Sequence, residues 1–113
     1  MADTLFTRII NKQIPADIVY ADDLCLAIKD INPQAPVHLL LIPKKPIDML
    51  STAKPEDQAL LGHLLLAAGK IARELKVDGA FRLVINNGKD GGQAVFHVHI
   101  HILAGRPFRW PPG

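Results

Sequence analysis

The chain has a single cysteine, Cys25, among 113 residues. One thiol makes no internal disulfide and no cysteine-based zinc site, which removes the thiolate zinc folds and suits a reducing cytosol. Charge of one sign is not in excess either: thirteen Lys+Arg against eleven Asp+Glu leave +2 with neutral histidine, and the charges are scattered. A nucleic-acid stripe needs Lys and Arg clustered on one surface, so no nucleic-acid partner is expected. Long apolar runs are missing. The most apolar window, residues 59–72, is interrupted by Gly62, His63, Gly69 and Lys70 and falls short of the roughly 20 residues a bilayer needs. The start, MADTLFTRII, has no basic flank ahead of an apolar run and does not read as a signal peptide. No repeat period is visible, and the short tail Trp110-Pro111-Pro112-Gly113 is the one biased stretch. These absences lead to the expectation of a soluble cytoplasmic protein with no membrane partner.

What is present describes an ordinary folded globule, with 49% apolar and 21% charged residues. The length is close to the modal domain size, so residues 1–113 are expected to form one domain around one core. Asp3 or Thr4 can cap a short helix through about Lys12, with Leu5, Phe6, Ile9 and Ile10 on one side and Pro15 beyond its end. Residues 18–20 and 24–30 read as two strands of a hairpin joined by an acidic turn at Asp22-Asp23. After the breaker Asn32-Pro33-Gln34-Ala35-Pro36, the apolar run Val37 to Ile42 reads as a central strand covered on both faces.

Pro55 suits a first helical position, with Glu56 and Asp57 near the positive end of the dipole, and the main helix should run to Leu75. Leu60, Leu61, Leu64, Leu65, Ala68, Ile71, Ala72 and Leu75 fill one arc. Leu66 falls on the far side beside Gly62 and Gly69, which hints at a second packed surface and dimerisation. Phe81 to Ile85 reads as a strand, residues 86–93 as a Gly-rich loop, and Val95 to Leu103 as a last strand with strict alternation. The sum is an α+β fold, an antiparallel sheet with the long helix on one face.

Residues 96–103 are FHVHIHIL. On an extended strand His97, His99 and His101 project to one face, about 7 Å between neighbours, while Val98, Ile100 and Ile102 point to the other. Composition does not explain three aligned imidazoles. Two chemistries fit them. Alternating histidines bind transition metals such as zinc, with a further residue completing the site. Alternatively, imidazoles act as nucleophile and proton carriers near pH 7. Spacing alone leaves both open. The preceding loop, NNGKDGGQ, favours the second, because Gly91-Gly92 lets backbone N–H groups approach an anion without obstruction by Cβ. His63 has no partner in the pattern and reads as a surface or interface residue.

HVHIHIL matches the His-φ-His-φ-His-φ-φ signature of the histidine triad family of nucleotide hydrolases and transferases. GGQAVFHVHIHILAGR and the ending WPPG resemble its Hint branch, and IPADIVYADDLCLAIKDINPQAP and HLLLIPKK extend the resemblance over nearly the whole chain. It implies a five-stranded antiparallel sheet with one long and one short helix, paired as a homodimer into a ten-stranded sheet. It also implies a purine nucleoside phosphoramidase cleaving the P–N bond of adenosine 5′-phosphoramidates and of related aminoacyl or lysyl adenylates, without a cofactor or metal. By position His99 would be the nucleophile, forming a nucleotidyl-histidine that water resolves. The His97 carbonyl would hold the other nitrogen of His99. His101, backed by His38, would contact the phosphate and help proton movement, a nearby imidazolium serving as the acid for amine departure. Asp30 maps onto the ribose hydroxyls, and Leu5, Phe6, Ile9, Ile14 and Ile28 onto the purine. Asn86 and Gly92 match positions beside ribose and phosphate, and Trp110 would reach the partner's active site.

Two departures stand out. Ala94 occupies a position where many Hint relatives carry a hydroxyl residue that bonds the leaving group, and Ala104-Gly105 replaces a Gly-Gly after the triad. Two other functions compete with the phosphoramidase: hydrolysis of dinucleoside polyphosphates on the same fold, and a zinc-binding regulatory module without catalysis.

Overall fold

The computed structural model describes residues 3–113. Its sheet contains β1 (Ile18–Ala21), β2 (Cys25–Lys29), β3 (Val37–Pro43), β4 (Phe81–Val84) and β5 (Ile100–Ala104), in the order β1-β2-β3-β5-β4 with every neighbouring pair antiparallel. The apolar run Val37–Pro43 takes the centre, as a strand lacking a polar face must. Helix α1 (Leu5–Ile10) lies over one face of the sheet and α2 (Gln58–Glu74) over the other.

Alternation along the strands sorts side chains between these two layers. Cys25, Ala27, Leu39, Leu41, Ile100 and Ile102 meet Leu64, Ala67, Ala68 and Ile71 of α2. Leu26, Ile28, Leu40 and Ile42 meet Phe6 and Ile9 of α1. His38 and His101 share parity with Leu40 and so stand on the α1 face.

Thr4 caps α1 by a reciprocal box, its Oγ1 accepting from the Thr7 N–H while the Thr7 Oγ1 accepts from the Thr4 N–H. The helix stops at Ile10 and not at Lys12. Lys12 adopts φ 61°, and the Lys12 and Gln13 N–H groups bond the carbonyls of Ile9 and Arg8. Helix α2 ends the same way, with Lys76 at φ 61° and the Lys76 and Val77 N–H groups on the carbonyls of Arg73 and Ala72. At its start, Pro55–Asp57 is a 3₁₀ turn, and the α-helix begins at Gln58.

The arc predicted for this helix is too wide. Leu64, Ala67, Ala68, Ile71 and Ala72 are buried, but Leu65 and Leu75 are exposed, because one sheet covers only a narrow stripe of a helix. Leu66, at 77% exposure, does face away from the sheet. Among the described residues no helix is long and apolar enough to cross a membrane.

The last strand is shorter than its alternation suggests. Residues 95–99 lie outside the ladder, and the Val98 N–H bonds the Ile47 carbonyl at 2.7 Å, so pairing with β3 begins only at Ile100.

Candidate active site

β3 and β5 are neighbours with Leu40 opposite His101 and His38 opposite Leu103, which places the two histidines diagonally on one face. His38 Nε2 and His101 Nδ1 are 2.9 Å apart. The Gln34 N–H donates to His38 Nδ1 at 3.0 Å. Neutral His38 therefore carries its proton on Nε2 and donates it to His101 Nδ1, leaving the His101 proton on Nε2. Asp30 closes this group, its Oδ2 3.4 Å from His38 Nε2. Its other oxygen accepts the Asn32 N–H at 2.8 Å, a local turn bond that also fixes the carboxylate.

His99 Nδ1 donates to the His97 carbonyl at 2.8 Å, so the lone pair of the neutral ring sits on Nε2. The His97 ring is engaged elsewhere, its Nε2 donating to the Pro43 carbonyl at 2.7 Å, and its buried Nδ1 has no protein partner. Phe6 sets edge-on against both rings, with centroids 4.9 Å from His99 and 6.0 Å from His97. His99 and His101 are 5.1 Å apart between centroids, tighter than a regular strand would hold them.

Burial pulls the pKa of all three triad histidines below the ordinary value. For His97 and His99 the loss of solvation outweighs their backbone hydrogen bonds, and for His101 burial together with the neighbouring His99 and His38 rings brings it to about 4. All three rings are neutral at pH 7. None of these three rings is a ready imidazolium in the free protein.

Beside this cluster opens a cleft of about 410 Å³ lined by Leu5, Phe6, Ile9, Ile14, Ile28, Leu40 and Asp30 among others. The five residues assigned in sequence to the purine, and Asp30 assigned to the ribose hydroxyls, all line it. Phe6 and Leu40 connect it to the triad, since Phe6 touches His99 and Leu40 pairs with His101. An apolar slot with two carboxylates at its rim, Asp30 and an Asp17 that pairs with Lys29, in the usual volume range for small-molecule sites, suits a flat ring carrying hydroxyl groups.

The loop before the triad is ordered by its own turns. The Gly91 and Gly92 N–H groups donate to the carbonyls of Gly88 and Lys89, so they are not free to cradle an anion as the sequence suggested. Gly91 is required by contact: a Cβ there would lie 2.3 Å from the Asn87 carbonyl oxygen. Asn86 Nδ2 reaches the Gly92 carbonyl at 3.5 Å. Neither residue lines the cleft, and Ala94 is exposed. Trp110 is 83% exposed and also stands outside the cleft of its own chain.

Two residues that sequence reasoning passed over shape the site. Gln93 is buried, accepts the Gly88 N–H and donates to the carbonyls of Asp48 and Val95, which moors the loop. Arg106 donates through Nε and Nη2 to the Gln34 carbonyl, bracing the turn that fixes the His38 tautomer. A glutamine adjoining Gly-Gly was the available signal for the first. The second had none, because it joins a side chain to a backbone carbonyl 72 residues away in sequence.

A family model described as the HIT domain matches residues 11–108. The chain belongs to the HIT family. It is 68% identical over 111 residues to an uncharacterized HIT-like protein of Synechocystis, covering 98% of this chain and 97% of that one. Its fold superposes on a HIT family hydrolase from Legionella pneumophila with a TM-score of 0.96 and 44% identity, covering 98% of this chain and all of that one. It also matches a histidine triad nucleotide-binding protein from Candida albicans, with a TM-score of 0.82 and 29% identity over 96% of this chain and 83% of that one. The HIT protein described here therefore has the fold of a HIT family hydrolase.

Proposed function

We propose that this HIT protein is a purine nucleoside phosphoramidase that hydrolyses the P–N bond of adenosine 5′-phosphoramidates and, by the same attack at the α-phosphorus, the acyl-phosphate P–O bond of aminoacyl and lysyl adenylates. One observation carries the reading: His99 is tethered through Nδ1 to the His97 carbonyl, with its Nε2 lone pair directed away from that tether, beside an apolar cleft with Asp30 at the rim. The base lies among Leu5, Phe6, Ile9, Ile14 and Ile28, and Asp30 accepts from the ribose hydroxyls. Asn86 and Gly92 flank the ribose and phosphate. His99 Nε2 attacks the α-phosphorus, the P–N bond breaks, and the amine leaves with a proton. Water then cleaves the nucleotidyl-histidine to release AMP and restore the ring.

The proton comes from the His101 side. The negative phosphate favours the charged form of a neighbouring imidazole, so substrate binding itself raises the His101 pKa and recruits that ring as the acid. His38 supports it through the bond to Nδ1. His97 serves by its carbonyl.

On this reading residues 1–113 form a single HIT domain that works as a homodimer, the two sheets joining into ten strands. Trp110 then reaches the partner's active site, and the exposed Leu66 face is covered. A cytoplasmic location agrees with the buried, unpaired thiol of Cys25.

Incubation with adenosine 5′-phosphoramidate in the presence of chelator tests the reading. AMP release that disappears in His99→Ala, with a nucleotidyl adduct on His99 by intact mass, is the expected result. Full activity in His99→Ala overturns it. Faster turnover of a diadenosine polyphosphate than of the phosphoramidate reassigns the substrate. Activity lost on chelation overturns the metal-independent reaction, and stoichiometric zinc on the histidines with no turnover reassigns the protein as a zinc-binding module.

A further inference from the structure

A second cluster of chemically capable side chains lies apart from the triad, on the α2 side of the sheet. Asp22 opens the β1–β2 turn, Cys25 opens β2 and His63 stands in the second turn of α2. His63 was expected to have no partner, yet its Nε2 is 2.7 Å from Asp22 Oδ2. Cys25 Sγ lies 3.5 Å from Asp22 Oδ1 and 3.6 Å from Oδ2. One ligand atom from each of the three residues can be chosen so that all lie within 4.8 Å of one another.

From these residues we infer a mononuclear site for zinc or a similar divalent transition metal, held by Asp22, Cys25 and His63 with water in the fourth position. A lone cysteine excludes zinc folds made of thiolates, not a mixed set, and thiolate, imidazole and carboxylate are the three donors zinc accepts. Tetrahedral bonds of ordinary zinc length separate ligand atoms by about 3.3–3.6 Å. The sulfur-to-carboxylate distances already lie in that range. Only the His63–Asp22 pair must open, and His63, with a third of its side chain exposed, has room to swing.

Neighbouring groups are arranged as outer partners of a metal ligand. Asp22 Oδ1 accepts the Leu24 and Cys25 N–H groups, and Tyr20 donates its hydroxyl to Oδ2 at 2.7 Å, so the carboxylate is aimed before any ion arrives. On binding, the Cys25 thiol gives up its proton to solvent and the His63 proton moves to Nδ1, freeing Nε2 to ligate. No electron is transferred. The ion would reinforce the join between the β1–β2 hairpin and α2, which already meet through the Asp22–His63 contact and through Tyr20, Cys25 and Ala27 packing on the helix. The other mixed cluster, Asp30, His38 and His101, belongs to the candidate active site.

Cobalt(II) titration of the reduced full chain reads the site directly. One equivalent should bind in the micromolar range with a thiolate-to-cobalt charge-transfer band and tetrahedral visible bands, zinc should displace it, and Tm should climb with zinc concentration. Cys25→Ser, its fold checked by circular dichroism, should lose the charge-transfer band, and His63→Ala should weaken binding more than about tenfold. His101→Ala should change neither. Absence of micromolar binding, a spectrum without the thiolate band, or binding that survives His63→Ala but not His101→Ala overturns the site.

Discussion

His38 and His101 form a directed pair: the Gln34 N–H occupies His38 Nδ1, so the 2.9 Å contact carries a proton from His38 Nε2 to His101 Nδ1. The consequence is that His101 presents an N–H, not a lone pair, from its other nitrogen. If that N–H serves the departing amine, His38→Ala should slow substrates with basic amine leaving groups by about 10²-fold, within the usual range for general acid catalysis. An activated leaving group that needs no proton should be affected far less. Paired kcat measurements on an alkylamine and a nitrophenol-type leaving group check it.

The acid limb of the pH profile belongs to His99. Burial holds its pKa below the ordinary 6.5, and attack requires the neutral ring. In the free enzyme the acid-side midpoint of kcat/KM should therefore lie below pH 6.5. A solvated histidine nucleophile would instead lose half its activity near pH 6.5. Measuring kcat/KM across this range with one substrate distinguishes them, provided the acid-side rates are taken before any unfolding.

Much of the architecture can be seen in the residues because burial and pattern agree. Val37 to Ile42 is apolar at every position but His38, so only the middle of a layered sheet can hold it. The triad was visible for a related reason, since alternation reports which face a side chain takes. It does not report which backbone the strand pairs with. Residues 95–99 keep the alternating look while the Val98 N–H turns to Ile47, and His97 commits its ring to the Pro43 carbonyl. The Asp22–His63 contact was hidden because nothing local links a hairpin turn to a helix 41 residues away.

Gly91 carries a prediction that separates loop geometry from chemistry. The Cβ of Gly91→Ala would meet the Asn87 carbonyl, backbone that cannot swing aside, so the turn feeding the triad must shift. The expected cost is about 1–3 kcal/mol of stability with a marked loss of kcat/KM. Denaturant midpoints and kinetics on Gly91→Ala provide the check. Gly62→Ala is the steric control, because a Cβ there meets nothing within 4 Å.

Leu66 tests the assembly. A leucine 77% exposed on the helix face turned from the sheet is either simply wet or covered by a second copy. Leu66→Glu should convert the proposed dimer to monomer in sedimentation velocity while circular dichroism stays unchanged. A wild-type chain that sediments as a monomer at micromolar concentration rejects the dimer outright.

Stability should depend on pH in a direction set by the buried triad. The folded-state pKa of His97, His99 and His101 is lowered by burial, to about 4 for His101. Above pH 6.5 the rings are neutral in both folded and unfolded chains, and folding loses nothing to protons. Below 6.5 the unfolded chain takes up protons that the folded site refuses, so stability falls as pH drops, until the folded pKa is reached. For His101 alone the slope approaches about 1.4 kcal/mol per pH unit between the two values. Denaturant unfolding at pH 7.5, 6.0 and 5.0 should show this loss, and His101→Gln, which cannot titrate, should flatten it by close to one histidine's share. A stability that is flat across the range, or a slope unchanged in His101→Gln, would mean that the ring is solvated and protonates freely in the folded protein.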